Sequence, residues 1–162
     1  MFLRKVRATV YDKPTGFVWV EQDRLAASGY PASRRQLEWI RDQGIDTVLT
    51  LTEDPLPSAW KEGLPMSFEH IPMVDHAPPT VESLEAAASL VKGELLRDRK
   101  VLVHCLAGQG RTMCVMSAYL IMAKGLESQE AIRTLRSIRP GAVEEEQEKA
   151  VLEYALSIDD ES

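Results

Sequence analysis

The sequence predicts an α/β fold, with a mainly parallel central sheet of four or five strands flanked by helices on both sides. Three observations predict it. Short apolar, β-branched runs at residues 47–51 and 101–103, with a further strand segment at 67–71, alternate with segments of helical periodicity, the pattern of strands joined by helical crossovers. The run at 101–103 passes through a glycine-bearing loop directly into a helical segment, the kind of strand-to-helix connection that open α/β sheets use to hold ligands. The 162 residues, 44% of them hydrophobic, suffice for one sizeable core and are short for two.

Residues 1–16 carry Arg4, Lys5, Arg7 and Lys13 and a Pro14-Thr15-Gly16 break, and read as a weakly packed N-terminal arm. Residues 17–20 and 24–27 are apolar enough to pair as two short strands. Ser33 is placed to cap a helix that runs to about Gln43 and stops at Gly44. A strand follows at 47–51. Between Thr52 and Met66, Pro55, Pro57, Gly63 and Pro65 impose a loop, with room for one short helix at 58–62. Residues 67–71 return to a strand. Thr80 starts the next helix, in which Leu84, Ala87, Ala88, Val91 and Leu95 share one face. After the strand at 101–103 come helices at 111–124, 128–138 and 144–157. A single domain is expected over 17–158, followed by an acidic tail at 159–162.

The net charge of −6 and the absence of a Lys/Arg-rich stripe argue against nucleic acid as a partner. Two cysteines, Cys105 and Cys114, make no disulfide framework, and residues 1–5 lack the apolar core of a signal peptide, so a reducing cytoplasm is expected. The most apolar stretch, 113–123, is about half the length of a membrane span and contains Ser117, which makes it a buried helix and predicts no membrane association.

The chemistry concentrates in His104-Cys105-Leu106-Ala107-Gly108-Gln109-Gly110-Arg111-Thr112. A strand delivers Cys105 to a loop whose N–H groups, together with the positive end of the following helix, face one point. Such a pocket fits a tetrahedral oxyanion, bound by the main chain of Leu106, Ala107, Gly108, Gln109, Gly110 and Arg111. Gly108 and Gly110 can adopt positive φ or admit close main-chain approach. Arg111 supplies a planar fork of donors for two oxygens of the anion. The same field favours the thiolate, the nucleophilic form of cysteine. From average residue usage, this pattern arises by chance in such a chain with a probability on the order of 10⁻⁵.

At these residues the chain resembles the cysteine-based protein tyrosine phosphatase superfamily, in its compact dual-specificity branch. The resemblance extends to Ile71-Pro72-Met73-Val74-Asp75 with Ala77-Pro78-Pro79, which is similar to that family's general-acid loop. It also takes in Arg139-Pro140-Gly141-Ala142-Val143 with Glu146-Gln147-Glu148, which is similar to its C-terminal signature. The resemblance implies a metal-independent phosphatase without cofactor, hydrolysing phosphotyrosine and also phosphoserine or phosphothreonine in proteins through a cysteinyl-phosphate. It implies Cys105 as nucleophile, Asp75 as acid and then base, and Gln147 as a residue orienting water. Thr112 would offer its hydroxyl near the sulfur, and His104 would tune Cys105 and order the loop through hydrogen bonds. His104 as a zinc ligand lacks a second ligand at metal spacing. His76 is the rival for the acid, and Arg139 reads either as a support of the loop or as a surface ion pair. Cys114 reads as core packing. Met113 departs from the family pattern, which has a glycine there.

Several neighbouring functions are disfavoured. Phosphoinositide phosphatases place lysines within the loop, where this chain has Leu106, Ala107 and Gln109. RNA triphosphatases call for basic enrichment, and a phospho-binding pseudophosphatase would lack Cys, Arg or acid. Low-molecular-weight phosphatases and arsenate reductases carry the loop near the N-terminus, and rhodaneses need no acid. No insertion before Asp75 is long enough to build a deep phosphotyrosine slot, so a shallow pocket on a monomeric enzyme is expected.

Overall fold

A computed structural model of the chain describes residues 12–161. In order, the elements are β1 (Val18–Glu21), β2 (Leu25–Ser28), α1 (Arg34–Asp42), β3 (Thr47–Thr50), α2 (Ser58–Lys61), β4 (Ser67–His70), α3 (Val81–Leu96), β5 (Val101–His104), α4 (Arg111–Lys124), α5 (Ser128–Ile138) and α6 (Glu145–Glu161). The five strands form one sheet in the order β1-β2-β5-β3-β4. Only β1 runs antiparallel, pairing with β2 across a tight turn, and β2, β5, β3 and β4 are parallel. The expected sheet of four or five mainly parallel strands is therefore present.

Alternation along the strands divides the core. Val101 and Val103 of β5, Leu49 of β3, and Leu25 and Ala27 of β2 join one apolar cluster with α3, α4, α5 and α6. Leu102, Val48 and Ala26 face the other way, against Leu37 and Ile40 of α1. Helices thus cover both faces. The helix at the centre, α4, packs among α3, α5 and α6 and is buried continuously from Arg111 to Ile121, which explains why its sequence shows no polar face. Met113 is wholly enclosed in this layer.

Local capping follows the sequence closely. Ser33 Oγ accepts the Gln36 N–H at 3.3 Å, and Thr80 Oγ1 accepts the Ser83 N–H at 3.1 Å. Gly44 and Gly125 take φ of +88° and +68° just past α1 and α4. One helix end differs from expectation. Helix α6 continues beyond Ser157 to Glu161, with no glycine or proline among residues 158–161 to stop it.

The N-terminal arm lies mostly outside the described residues. Its last part is packed, since the Gly29 N–H donates to the Thr15 carbonyl at 2.8 Å and Arg139 donates to the Gly16 carbonyl.

Candidate active site

The parallel strands end together at one edge of the sheet, and the loop from Cys105 to Gly110 leaves β5 there. Its conformation rests on outward-facing carbonyls. The Leu106 carbonyl accepts the Tyr30 N–H at 2.9 Å, and the Gly110 carbonyl accepts the Cys114 N–H at 3.0 Å. In a trans peptide the N–H points opposite to its carbonyl, so these bonds turn the Ala107 and Arg111 N–H groups toward the loop interior. Within that interior Cys105 Sγ accepts the Gly108 N–H at 3.2 Å.

Gly108 has φ of +76°, and a Cβ built there would lie 2.7 Å from the main-chain carbon and oxygen of Ser28. Both reasons require glycine at this position. At Gly110 a Cβ would lie 2.8 Å from Gln147 Oε1, so glycine there lets the Gln147 side chain settle against the loop.

His104 is fully buried beneath the loop. Its Nδ1 lies 3.1 Å from the Cys105 carbonyl, which can only accept, so Nδ1 carries the proton and Nε2 accepts from the Thr50 hydroxyl at 2.8 Å. Burial pushes its pKa down to about 4, with the Arg111 charge adding to the effect and the Cys105 hydrogen bond opposing it. His104 is therefore neutral at neutral pH. It acts on the loop by fixing the carbonyl of Cys105, and through no charge of its own.

Arg111 is 2% exposed, yet both of its terminal nitrogens meet oxygens at the mouth of the site. Nη1 donates to Glu53 Oε1 at 2.7 Å and to the Met73 carbonyl at 2.9 Å. Nη2 lies 3.1 Å from Asp75 Oδ1. The Asp75 loop and the Cys105–Gly110 loop thus meet through the guanidinium, which two carboxylates hold at the mouth of the site. A cavity of about 280 Å³ opens here, lined by Tyr30, Thr52, Glu53, Asp54, Asp75, Leu106 and Arg111. Cys105 is 2% exposed, so its sulfur lies beneath this cavity rather than on its wall.

The remaining expected residues divide. Gln147 is buried and its Oε1 accepts the Glu144 N–H at 3.3 Å, placing its amide over Gly110. Thr112 is also buried, and its hydroxyl has no hydrogen-bond partner among the described residues. Leu106, Ala107 and Gln109 project outward with uncharged side chains. His76 is exposed and lies 3.3 Å from Glu144 rather than over the loop. Arg139 bonds the Gly16 carbonyl, with its Nε buried and unpartnered. Burial pushes the Cys114 thiol up to about 12, reinforced by Cys105 and Glu144, in keeping with a packing role. Among the described residues no cluster of His, Cys, Asp or Glu could hold a metal ion.

Sequence reasoning missed Glu53, Tyr30 and Thr50. Thr50 and Glu53 lie at or just beyond the C-terminal end of β3, where the parallel topology gathers ligand-facing residues, and that position was the available signal.

Residues 14–152 match the family described as "Swiss Army Knife protein, DSP-PTPase phosphatase domain". Among curated relatives, the tyrosine-protein phosphatase CDC14 of Candida albicans is 31% identical over 68% of this chain and 20% of its own length. Phosphatidylglycerophosphate phosphatase PTPMT2 of Arabidopsis thaliana is 27% identical over 83% of this chain and 61% of its own. The dual specificity protein phosphatase Mpk3 of Drosophila melanogaster is 32% identical over 64% of this chain and 25% of its own length. The chain thus spans less than two thirds of each of these relatives. Among solved structures, Tk-PTP in its active form superposes with a TM-score of 0.79 at 32% identity, covering 86% of this chain and 96% of that one. PTPMT1 in complex with PI(5)P shares the fold at a TM-score of 0.78 and 19% identity, covering 90% and 97%. With the family match running through all five strands and the 105–111 loop, the chain belongs to the dual-specificity phosphatase family.

Proposed function

We propose that the chain is a cysteine-dependent phosphomonoester hydrolase acting on phosphotyrosine, and on phosphoserine and phosphothreonine, in proteins. The observation that carries this reading is the buried Arg111, whose two terminal nitrogens face the mouth between Asp75 and the loop that holds Cys105. A phosphate dianion would displace the Glu53 and Asp75 carboxylates from the guanidinium and take its equatorial oxygens into the ring of loop N–H groups.

Cys105 Sγ attacks phosphorus in line, forming the S–P bond as the P–O bond to the substrate breaks. Asp75, carrying a proton, gives it to the departing oxygen. Water then attacks phosphorus, Asp75 takes its proton, and the S–P bond breaks to release inorganic phosphate and the thiolate. Gln147, held over Gly110, is the candidate for orienting that water, and the unpartnered Thr112 hydroxyl is the candidate donor to the leaving sulfur. The chemistry needs no metal.

Two features support protein monophosphates as substrates. The loop side chains at 106, 107 and 109 carry no charge to match additional phosphates, and Glu53, Asp54 and Asp75 line the mouth with carboxylates that repel polyanions. The similarity to PTPMT2 over most of this chain favours a second reading, a phospholipid monophosphate. A monomeric, cytoplasmic enzyme whose catalytic domain includes residues 17–158 completes the proposal. No helix among the described residues is long and apolar enough to cross a membrane.

The test is a panel of phosphopeptides, inositol phosphates and phosphatidylglycerophosphate assayed with chelator present and Cys105→Ser as the blank. Phosphopeptide turnover that vanishes in Cys105→Ser is expected. Turnover retained by that variant rejects the nucleophile assignment, and turnover of the lipid alone replaces the first reading with the second.

A further inference from the structure

Val143 has φ of +58°, a left-handed conformation that a β-branched residue rarely adopts, and it is 2% exposed. A buried turn of this kind persists only when its surroundings over-determine it. Here one guanidinium does so. Arg136 donates from Nε to the Ala142 carbonyl at 3.0 Å and from Nη2 to the Val143 carbonyl at 2.8 Å, while Nη2 also pairs with Glu148 at 2.6 Å. The end of α5, the strained turn and the first turns of α6 are therefore tied at one point.

The turn in its strained form does something specific to the phosphate loop. The Val143 N–H donates to the Gln109 carbonyl at 3.1 Å. That carbonyl belongs to the peptide whose N–H is Gly110's, and in a trans peptide the two point in opposite directions. Val143 holds the carbonyl outward, so the Gly110 N–H faces the interior. The same turn seats Gln147 against Gly110 and Gly141 against the Gln109 side chain. At the other end of the loop Tyr30 treats the Leu106 carbonyl in the same way. The left-handed φ lets the Ala142 and Val143 carbonyls both reach Arg136 while the Val143 N–H reaches the Gln109 carbonyl.

We infer that Val143, locked in its left-handed turn by Arg136, is a positioning residue that aims the Gly110 N–H at the bound oxyanion. The inference rests on the phosphatase reading for its kinetic arm and on oxyanion binding alone for its direct arm. Arg136→Gln removes the fork without touching the loop. Orthovanadate affinity, measured by calorimetric titration, is expected to fall about tenfold, the scale of one hydrogen bond to a charged group. The kcat/KM for aryl phosphates should fall by a similar factor for activated and poor leaving groups alike, since the lost donor serves the equatorial oxygens. The Gly110 amide resonance should lose most of its vanadate-induced shift. Arg133→Gln, one turn earlier on the exposed face of α5, controls for charge and should match the parent.

A folded Arg136→Gln protein with parental vanadate affinity and parental kcat/KM overturns the inference. Should that variant fail to melt cooperatively, Arg136→Lys, which keeps the charge and one donor, is judged by the same criterion. A parent protein that binds no vanadate sinks the phosphatase reading and this inference together. Binding that is intact in the parent and unchanged in the variant sinks only the inference.

Discussion

Asp75 is held in the structure by the residue it would later help, with its carboxylate 3.1 Å from Arg111 Nη2 and its Oδ1 also accepting the His76 N–H at 3.0 Å. Bound this way it occupies the guanidinium that the proposed function assigns to a phosphate oxygen. Asp75→Asn keeps the shape and removes the transferable proton. Its kcat for alkyl phosphates and phosphopeptides is expected to drop by about 10²–10⁴, the usual contribution of a general acid, with a much smaller loss for activated aryl phosphates. Equal losses across leaving groups, read from a leaving-group series, would remove Asp75 from the role. The structure gathers Cys105, Gly108 and Arg111 about one loop, as their spacing along the chain implied. Glu53 was not implied in this way, for it is one acidic residue among 25 in the sequence and owes its interest to the Arg111 nitrogen 2.7 Å away. His76 shows the reverse, a histidine next to the acid in sequence whose ring turns out toward Glu144.

Between β5 and α4 the chain has to reverse within a few residues while keeping its N–H groups inward, and Gly108 is where that reversal meets β2. Gly108→Ala would place a methyl group 2.7 Å from the Ser28 main chain at a φ of +76°. Neither partner is a flexible side chain, so the loop itself must shift. The expected cost is at least about 2 kcal/mol, combining left-handed backbone strain with the clash. Urea unfolding measures it, and oxyanion affinity should fall with it. Parental stability and affinity in this variant would mean that the loop is not seated on β2 as described. Most elements were legible because capping and periodicity are local. Ser33 and Thr80 cap α1 and α3, and the apolar face of α3 at Leu84, Ala87, Ala88, Val91 and Leu95 is buried as its spacing implied. The end of α6 differs because the acidic residues after Ser157 resemble a tail, whereas no glycine or proline stands among 158–161 to end the helix.

At the scale of the whole molecule, His104 is a polar side chain at the end of β5 buried beneath the loop, hydrogen-bonded to Thr50 and the Cys105 carbonyl. Its folded pKa, about 4, lies below the ordinary value of 6.5, mainly because of burial. The unfolded chain therefore binds a proton at mild acidity that the folded chain refuses. Stability is unaffected above pH 6.5 and declines as pH falls from there toward 4. Between pH 7 and pH 4.5 the loss from this group should be roughly 2–3 kcal/mol. Urea titrations at the two pH values, with His104→Gln showing a shallower decline, check it; an unchanged slope in that variant would assign the acid sensitivity elsewhere. The order of elements, the sheet class and the glycine-bearing loop between β5 and α4 were determined by the sequence alone, because each depends on residues that are consecutive or a helical turn apart. The pairing of Arg111 with Glu53 and Asp75, the buried hydrogen bonds of His104 and the left-handed turn at Val143 were decided only by the tertiary structure. They join segments far apart in the chain, which meet because parallel strands end at a common edge and helices α4, α5 and α6 pack behind the loop they support.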